Sequence, residues 1–277
     1  MKHIKRLFVF LLLINGGNAW TQVPQTAVVE HFTNTYCSVC ASRNPGFYSN
    51  LNQQTNVLHI AFHPSAPYAA CTLNQHNKIE NDARTKFYGI YGSTPRLVIS
   101  GTVIPSSANY SSASVFTPYL GKTSPIEIKL QLTENGSDSF MASIQLITRA
   151  THMLGDLNLL VALVEENLAF AAPNGEQEHH DVFRKAFHSI DGIVVTPASQ
   201  VGDSISIETS IAKNSVWVKN QLYAMAMLSD FTTKEMVQAA RSSNLGLSNG
   251  LHAEIGNSVS VFPNPANEFI QISGLNQ

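Results

Sequence analysis

The sequence predicts an α/β unit, then an all-β sandwich-like unit, then a short β segment at the carboxyl end. Three observations lead there. Up to about residue 122, short runs rich in Val, Ile and Phe alternate with helix-compatible stretches. From Ser124 the apolar period changes to two. From about Ser242 the chain turns rich in Ser, Asn and Gly before a last strand-like run.

The first residues are set apart from the fold. Met1 to Arg6 is basic, Leu7 to Ile14 is an unbroken apolar run, and small residues follow up to Ala19. Such a run is too short for a bilayer core of ~30 Å and reads as a secretory signal over residues 1–19. No cysteine lies near the cleavage point, which speaks against a lipid anchor. No comparable apolar run follows, so the mature protein is expected to be soluble and not membrane-spanning. It is expected to be secreted or at the cell surface after passing through the periplasm, where disulfides persist. Charged residues make up 13% of the 277, against ~25% in an average soluble domain, and the net charge is −2. There is no basic footprint for nucleic acid and no charge run that would mark a charged partner.

Residues 20–122 are expected to form the first unit. Ala27 to Phe32 is strand-like, Val39 to about Gln53 is helix-compatible, and Val57 to His63 is a second β-rich run stopped by Pro64. A second helix is expected from about Leu73 to Tyr88, with Gly89 and Gly92 as stop residues. Arg96 to Gly101 reads as a strand with Pro95 at its entry, and Ser112 to Leu120 as a short helix.

Residues 123–241 are expected to form the second unit. Ile126, Ile128, Leu130 and Leu132, then Phe140, Ala142, Ile144 and Leu146, alternate with mostly polar residues on either side of a turn cluster at residues 134–138. Further strands are expected from Leu157 to Glu165, Ser204 to Ile211 and Leu222 to Leu228. Short strands divided by turn signals suggest a sandwich, serving as a scaffold or interaction module. Residues 242–256 read as a linker. Residues 257–277 read as the start of a further β unit, because a lone strand cannot bury itself, and the chain is expected to continue beyond Gln277.

Chemistry concentrates in Thr35-Tyr36-Cys37-Ser38-Val39-Cys40, which holds two of the three cysteines. The pair can be a redox centre, half of a metal site or a structural staple. Strand, pair, helix, strand is the context in which such a spacing reads as a thiol–disulfide motif. A helix amino terminus lowers a thiol pKa through its dipole and free N–H groups. Cys37 is therefore the expected nucleophile and Cys40, one turn on, the resolving thiol. Zinc would need two more ligands; Cys71, His63 and His76 are the candidates, and neither a metal nor a cofactor is expected. Cys71 is either a buried thiol or an auxiliary cysteine. Glu30 or His31, on the strand feeding the pair, could take the Cys40 proton, with the other a core residue. Glu176-Gln177-Glu178-His179-His180-Asp181 contains metal-ligand residue types, but adjacent strand residues point to opposite faces and a solvated loop is expected.

From about Val23 to Lys122 these residues resemble the thioredoxin family. Pro45 falls five positions after Cys40, where that family's active-site helix carries a proline. Tyr88-Gly89-Ile90-Tyr91-Gly92, ahead of Thr94-Pro95, is similar to its approach to a cis-proline. The resemblance implies that Pro95 packs against the pair and that the Thr94 backbone pairs with an extended substrate peptide. Ser38-Val39 stands where Gly-Pro is usual, Tyr36 where tryptophan is usual, and His31 at the place of a buried aspartate. Reduction potential and proton path are therefore not carried over.

The tail Val261-Phe262-Pro263-Asn264-Pro265-Ala266-Asn267 resembles the opening of the C-terminal sorting domain of the type IX secretion system of Bacteroidetes. Signal, thioredoxin-like unit, β unit and tail together are similar to a group of Bacteroidetes surface proteins related to outer membrane protein twenty-eight. These resemblances imply an exported thiol–disulfide oxidoreductase whose Cys37, Cys40, Thr94 and Pro95 reduce, form or isomerise disulfides in exported proteins. The type IX secretion machinery would be a second partner. The other reading is a non-catalytic surface binding or adhesion protein on the same scaffold.

Overall fold

The computed structural model describes residues 21–246 and two short strands at residues 260–262 and 271–273. The expected signal, the linker beyond Gly246 and most of the tail lie outside the described residues. In chain order the strands are β1 (Val23–Pro24), β2 (Ala27–Phe32), β3 (Val57–Phe62), β4 (Arg96–Ile99), β5 (Thr102–Val103), β6 (Thr123–Ser124), β7 (Ile126–Asn135) and β8 (Ser139–Thr148). They continue with β9 (Leu157–Ala169), β10 (Glu178–Ala186), β11 (Ile193–Val195), β12 (Ser204–Ala212), β13 (Leu222–Asp230), β14 (Met236–Arg241), β15 (Ser260–Phe262) and β16 (Gln271–Ser273). The α-helices are α1 (Ser38–Leu51), α2 (Thr72–Gln75) and α3 (Lys78–Phe87).

A nine-stranded sheet organises the chain in the order β14-β13-β9-β10-β3-β2-β4-β5, with β11 also on β9. β2 and β3 are parallel, in register from Ala27↔Val57 to Phe32↔Phe62, and α1 connects them. β10 is antiparallel to β9 and at the same time parallel to β3, where Val182 pairs with Ala61. The units expected on either side of residues 122/123 thus share one sheet. The described residues form a β-rich fold with mixed sheets and few helices.

Strands at the centre are buried on both faces, which is why they read as continuous apolar runs rather than alternations. From β2, Val28 and Phe32 join Phe62, Tyr88, Phe183 and Tyr223 in one cluster, while Val29 joins Phe47, Leu97 and Ile99 in another. The sheet curls around the first cluster until β14 returns to β2. Gln238 Oε1 accepts the Thr26 N–H at 2.9 Å, and the Met236 N–H donates to Ser100 O at 3.3 Å. A third cluster lies between the three-stranded sheet β12-β8-β7 and the outer faces of β9 and β13. There Ile126, Phe140 and Ile144 meet Leu159, Leu163, Ala224 and Leu228. This is the part of the molecule where two sheets face each other as a sandwich would.

Local departures have local causes. The single helix expected from Leu73 to Tyr88 divides into α2 and α3 because Asn77 caps α3, accepting the Glu80 N–H on its side chain. Ser112 to Leu120 forms two 3₁₀ turns, Ala113–Val115 and Thr117–Tyr119. The first residues of the expected linker belong to the body: Leu245 is buried in the third cluster, and its N–H donates to Leu222 O at 2.8 Å. Among the described residues, no helix is long and apolar enough to cross a membrane.

Candidate thiol site

β2 ends at Phe32, and a short turn delivers Cys37 as the N-cap of α1. Asn34 shapes that turn. Its Oδ1 accepts the Tyr36 N–H at 2.9 Å, its Nδ2 donates to Pro64 O at 2.9 Å, and its carbonyl accepts the Cys37 N–H at 3.0 Å. Cys37 has extended backbone, φ −85° and ψ 107°, so its sulfur points back along the helix axis and accepts the Cys40 N–H at 3.1 Å. The sulfur occupies the place of a capping oxygen. No acidic side chain in the first turn of α1 opposes a negative charge there. All three cysteines are free thiols.

This arrangement splits the two thiols. The Cys37 pKa falls to about 6, chiefly because the Cys40 thiol donates to its sulfur; burial opposes the shift, while Thr94 and the N–H groups of Cys40 and Val39 add to it. Burial, and then its role as donor to Cys37, pushes the Cys40 thiol up. One sulfur is a thiolate at neutral pH and its neighbour is a thiol. Cys37 is only 2% exposed, so its sulfur is shielded rather than open.

The Thr94–Pro95 bond is cis, and Thr94 O lies 3.5 Å from Cys37 Sγ. The Thr94 hydroxyl is buried and favours the ionised form of both sulfurs. Four exposed apolar or aromatic side chains, Tyr36, Val39, Tyr68 and Tyr91, lie on the segments near Cys37, Pro64 and Thr94 in the chain. Tyr68 O is held by Asn34 Nδ2 at 3.1 Å, and the Tyr91 hydroxyl meets Ser65 Oγ at 2.9 Å. The structure therefore brings Cys37, Cys40, Thr94 and Pro95 together.

Other expected contributors lie elsewhere. Glu30 faces away from α1, where Arg84 Nε and Nη2 donate to it at 2.6 and 2.9 Å and the Tyr88 hydroxyl at 2.5 Å. It is half of a core ion pair. His31 does face α1, its ring centroid 4.7 Å from Phe47 and 5.9 Å from Tyr48. Burial, helped by the nearby His59 and His63, keeps its pKa well below the ordinary value, and its Nδ1 has no hydrogen-bond partner. Neither residue is among the groups that act on Cys40. Cys71 is buried beside Leu73 and Val182 and accepts the Thr35 hydroxyl at 3.2 Å, a satisfied buried thiol. His63 packs near His179 while His76 Nδ1 faces Arg184 Nη1 at 3.0 Å. Among the described residues, no group of three His, Cys, Asp or Glu side chains could hold a metal ion.

The solvated loop expected at residues 176–181 is corrected: from Glu178 on it is β10. His179 is buried, and Asp181 accepts from both His59 Nδ1 at 2.9 Å and the Tyr223 hydroxyl at 2.8 Å. The turn before β10 reaches the thiol site. The Asn174 N–H donates to Thr35 O at 3.0 Å and its Nδ2 to Cys37 O at 3.1 Å. Glu176 Oε1 accepts Asn44 Nδ2 of α1 at 2.7 Å. Sequence reasoning missed Asn174 and Asn44, and took Glu176 only as part of a solvated stretch, since an Asn-Gly-Glu turn is what many hairpins carry.

No family model and no curated protein matches the chain. Among solved structures, it is similar to HBP35 of Porphyromonas gingivalis, with a TM-score of 0.67 and 15% identity over 90% of this chain and 85% of that one. A domain of the outer membrane lipoprotein Omp28 from Porphyromonas gingivalis matches at a TM-score of 0.34 and 14% identity, over 44% of this chain and 89% of that one. β-Glucosidase 3B from Thermotoga neapolitana matches at 0.24 and 11%, over 44% of this chain and 16% of that one. The likeness to HBP35 is one of fold and fits the β-rich architecture.

Proposed function

We propose that the chain is an exported, thioredoxin-like thiol–disulfide oxidoreductase acting on disulfide- or thiol-containing exported proteins. One observation carries this reading: Cys37 caps α1 with its sulfur, at a pKa of about 6, while Cys40 one turn on is held as a thiol. In the reducing direction the Cys37 thiolate attacks a client disulfide. A Cys37–client bond forms, and the other client sulfur leaves and takes up a proton. Cys40 then attacks Cys37 Sγ, releasing the second client sulfur and closing the Cys37–Cys40 disulfide; an external dithiol reduces it again. The reverse sequence forms a client disulfide. Thr94 and Pro95 are proposed to align an extended client segment, with Tyr36, Val39, Tyr68 and Tyr91 offering apolar contact on either side. We further propose residues 1–19 as an export signal and residues 257–277 as the start of a type IX sorting segment that delivers the protein to the cell surface.

A second reading, a surface binding protein on a thioredoxin-like scaffold, is favoured by the shielding of Cys37. Trapping separates the two. With Cys40→Ser the resolving thiol is gone, and mixed disulfides with clients should accumulate; Cys37→Ser should trap none, and Cys71→Ser should leave that contrast unchanged. Alkylation of Cys37 should show a midpoint near pH 6, against ~8.5 for an ordinary thiol. A Cys40→Ser protein that traps nothing, with Cys37 titrating as an ordinary thiol, would leave the scaffold reading.

A further inference from the structure

We infer that Asn174, in the turn between β9 and β10, is a positioning residue for Cys37: a turn from the later half of the chain fixes the backbone from which the Cys37 sulfur is presented. This rests on the thiol–disulfide reading above and adds to it a residue that holds the Cys37 backbone rather than its sulfur. β9 ends at Ala169 and β10 starts at Glu178. The turn between them closes on itself, since the Ala172 N–H donates to Glu176 O at 2.8 Å and the Gly175 N–H to Ala172 O at 2.9 Å. Asn174 reaches out of it to the loop between β2 and α1. Its N–H donates to Thr35 O at 3.0 Å, and its Nδ2 donates to Cys37 O at 3.1 Å and Asn34 O at 3.3 Å.

These contacts pin Cys37 on both sides of its Cα. Its N–H is tied to Asn34 O at 3.0 Å, which holds φ, and its carbonyl to Asn174 Nδ2, which holds ψ. With φ −85° and ψ 107°, Sγ meets the Cys40 N–H at 3.1 Å, and Cys37 O also accepts the Ala41 N–H at 3.2 Å. Cβ and the carbonyl leave the same Cα, so a change in ψ moves the sulfur relative to the N–H groups of α1. The Asn174 amide is itself held in one orientation. Glu176 Oε2 accepts from Nδ2 at 2.7 Å, and the Glu176 N–H donates to Asn174 Oδ1 at 3.2 Å. A carboxylate only accepts, so the amino end stays at Glu176 and its second hydrogen is left for the carbonyls of Cys37 and Asn34. Glu176 Oε1 in turn accepts Asn44 Nδ2 at 2.7 Å, so the turn grips α1 as well as the loop before it.

The hold matters because Cys37 is ionised by donors at short range: the Cys40 thiol first, then Thr94 and the N–H groups of Cys40 and Val39. Hydrogen bonds weaken steeply when misaligned. No charged side chain is among those groups; Glu176 faces Asn44 and Asn174, and Arg43 donates to Ser106 O and Ala108 O at 3.0 and 2.7 Å. Alignment therefore does here what a neighbouring cation would do elsewhere. In the attack, the Cys37 thiolate bonds to a client sulfur, the client S–S bond breaks, and the other client sulfur leaves with the electron pair and takes up a proton. A Cys37 that is less ionised attacks more slowly near neutral pH.

The test follows alkylation of Cys37 by iodoacetamide in the full chain across a pH series, read on the Cys37 peptide by mass spectrometry, with denaturant unfolding of each variant alongside. The native midpoint is expected near pH 6. Asn174→Ala removes both side-chain donations and keeps the backbone N–H to Thr35. Its Cys37 midpoint should rise by about one pH unit, the scale of one lost hydrogen bond, with about ten-fold slower alkylation below the native midpoint. Glu176→Ala keeps Asn174 but frees its amide, and should move the midpoint the same way by less. Gln177→Ala removes an exposed contact within the same turn, Nε2 to Gly175 O at 3.0 Å, and should leave the midpoint in place. A native midpoint in folded Asn174→Ala overturns the inference even if its stability falls, because a turn serving stability alone would give that result. An equal shift in Gln177→Ala overturns it too. If Asn174→Ala does not fold, the Glu176→Ala midpoint decides. A native protein whose Cys37 titrates as an ordinary thiol sinks the oxidoreductase reading and this one with it, whereas a native midpoint near pH 6 that no variant moves sinks this one alone.

Discussion

Glu30 and His31 are neighbours on β2, yet they end in opposite kinds of surroundings. Successive side chains leave a strand on opposite faces. Glu30 goes with Val28 and Phe32 toward α3 and meets a cation and a phenol; His31 goes with Val29 under α1 and meets Phe47 and Tyr48. One face holds a compensated charge and the other keeps its imidazole neutral. The difference teaches how the thiol site works: it is built on the face opposite the Glu30–Arg84 ion pair. The ionisation of Cys37 is consequently set by a thiol, a hydroxyl and N–H groups rather than by a titrating acid.

The hardest way to break this comparison is Arg84→Met, which leaves Glu30 buried with no cation. Stability should fall by about 3–5 kcal/mol, read by denaturant unfolding, because the desolvated charge loses its partner. Provided the variant is folded at the working temperature, its Cys37 alkylation midpoint should not move, since the two faces are separate. A shift in that midpoint would show that they are coupled.

The second prediction concerns the neutral face. Burial holds the folded-state pKa values of His31 and His63 well below the ordinary 6.5. The unfolded chain then binds protons first as pH falls. Their contribution is fully present above pH ~6.5 and is lost as pH drops toward the folded values, by about 1.4 kcal/mol per pH unit for each group. Melting temperature measured from pH 7 downward should therefore decline, and His31→Phe should make the decline shallower. An unchanged slope would mean that His31 is not neutral in the fold.

The smallest effect is expected at the seam between β3 and β10. Asp181→Asn keeps a residue that tolerates the positive φ of 50° found there but weakens the contacts to His59 and Tyr223. A loss of about 1–2 kcal/mol is expected in denaturant unfolding, with thiol reactivity retained. Loss of Cys37 reactivity in that variant would tie the seam directly to the site.

Much of the strand pattern around the cysteines was legible because it is local. Ala27–Phe32 and the hairpin pair Ile126–Asn135 and Ser139–Thr148 declare themselves by apolar runs and alternation. β10 did not, because it carries Glu178, His179, His180, Asp181, Arg184 and Lys185. Its polarity is matched by partners far away in sequence. Arg184 Nε donates to Glu165 at 2.6 Å, and Asp181 meets His59 at 2.9 Å. A strand whose charges are neutralised across a sheet looks like a loop until its neighbours are known. Cys37, Cys40, Thr94 and Pro95 could be singled out by spacing and resemblance. The contacts of Asn174 and Glu176 could not, since only the fold brings the turn before β10 against Cys37 and Asn44 of the first half of α1.

The pairing of Val182 with Ala61 also sets a timetable for synthesis. When the chain has emerged only as far as Lys122, β3 has an open edge, and that edge stays unpaired until Glu178–Ala186 follow. An unpaired edge is a template for wrong partners, and closing so long a loop is slow compared with forming a helix. During that interval the Cys37 turn lacks the hold of Asn174, and Asn44 lacks its carboxylate. The finished thiol site is therefore among the last features to be assembled. A growing chain carries the Cys37–Cys40 pair in an incomplete setting until the later hairpin has closed beside it.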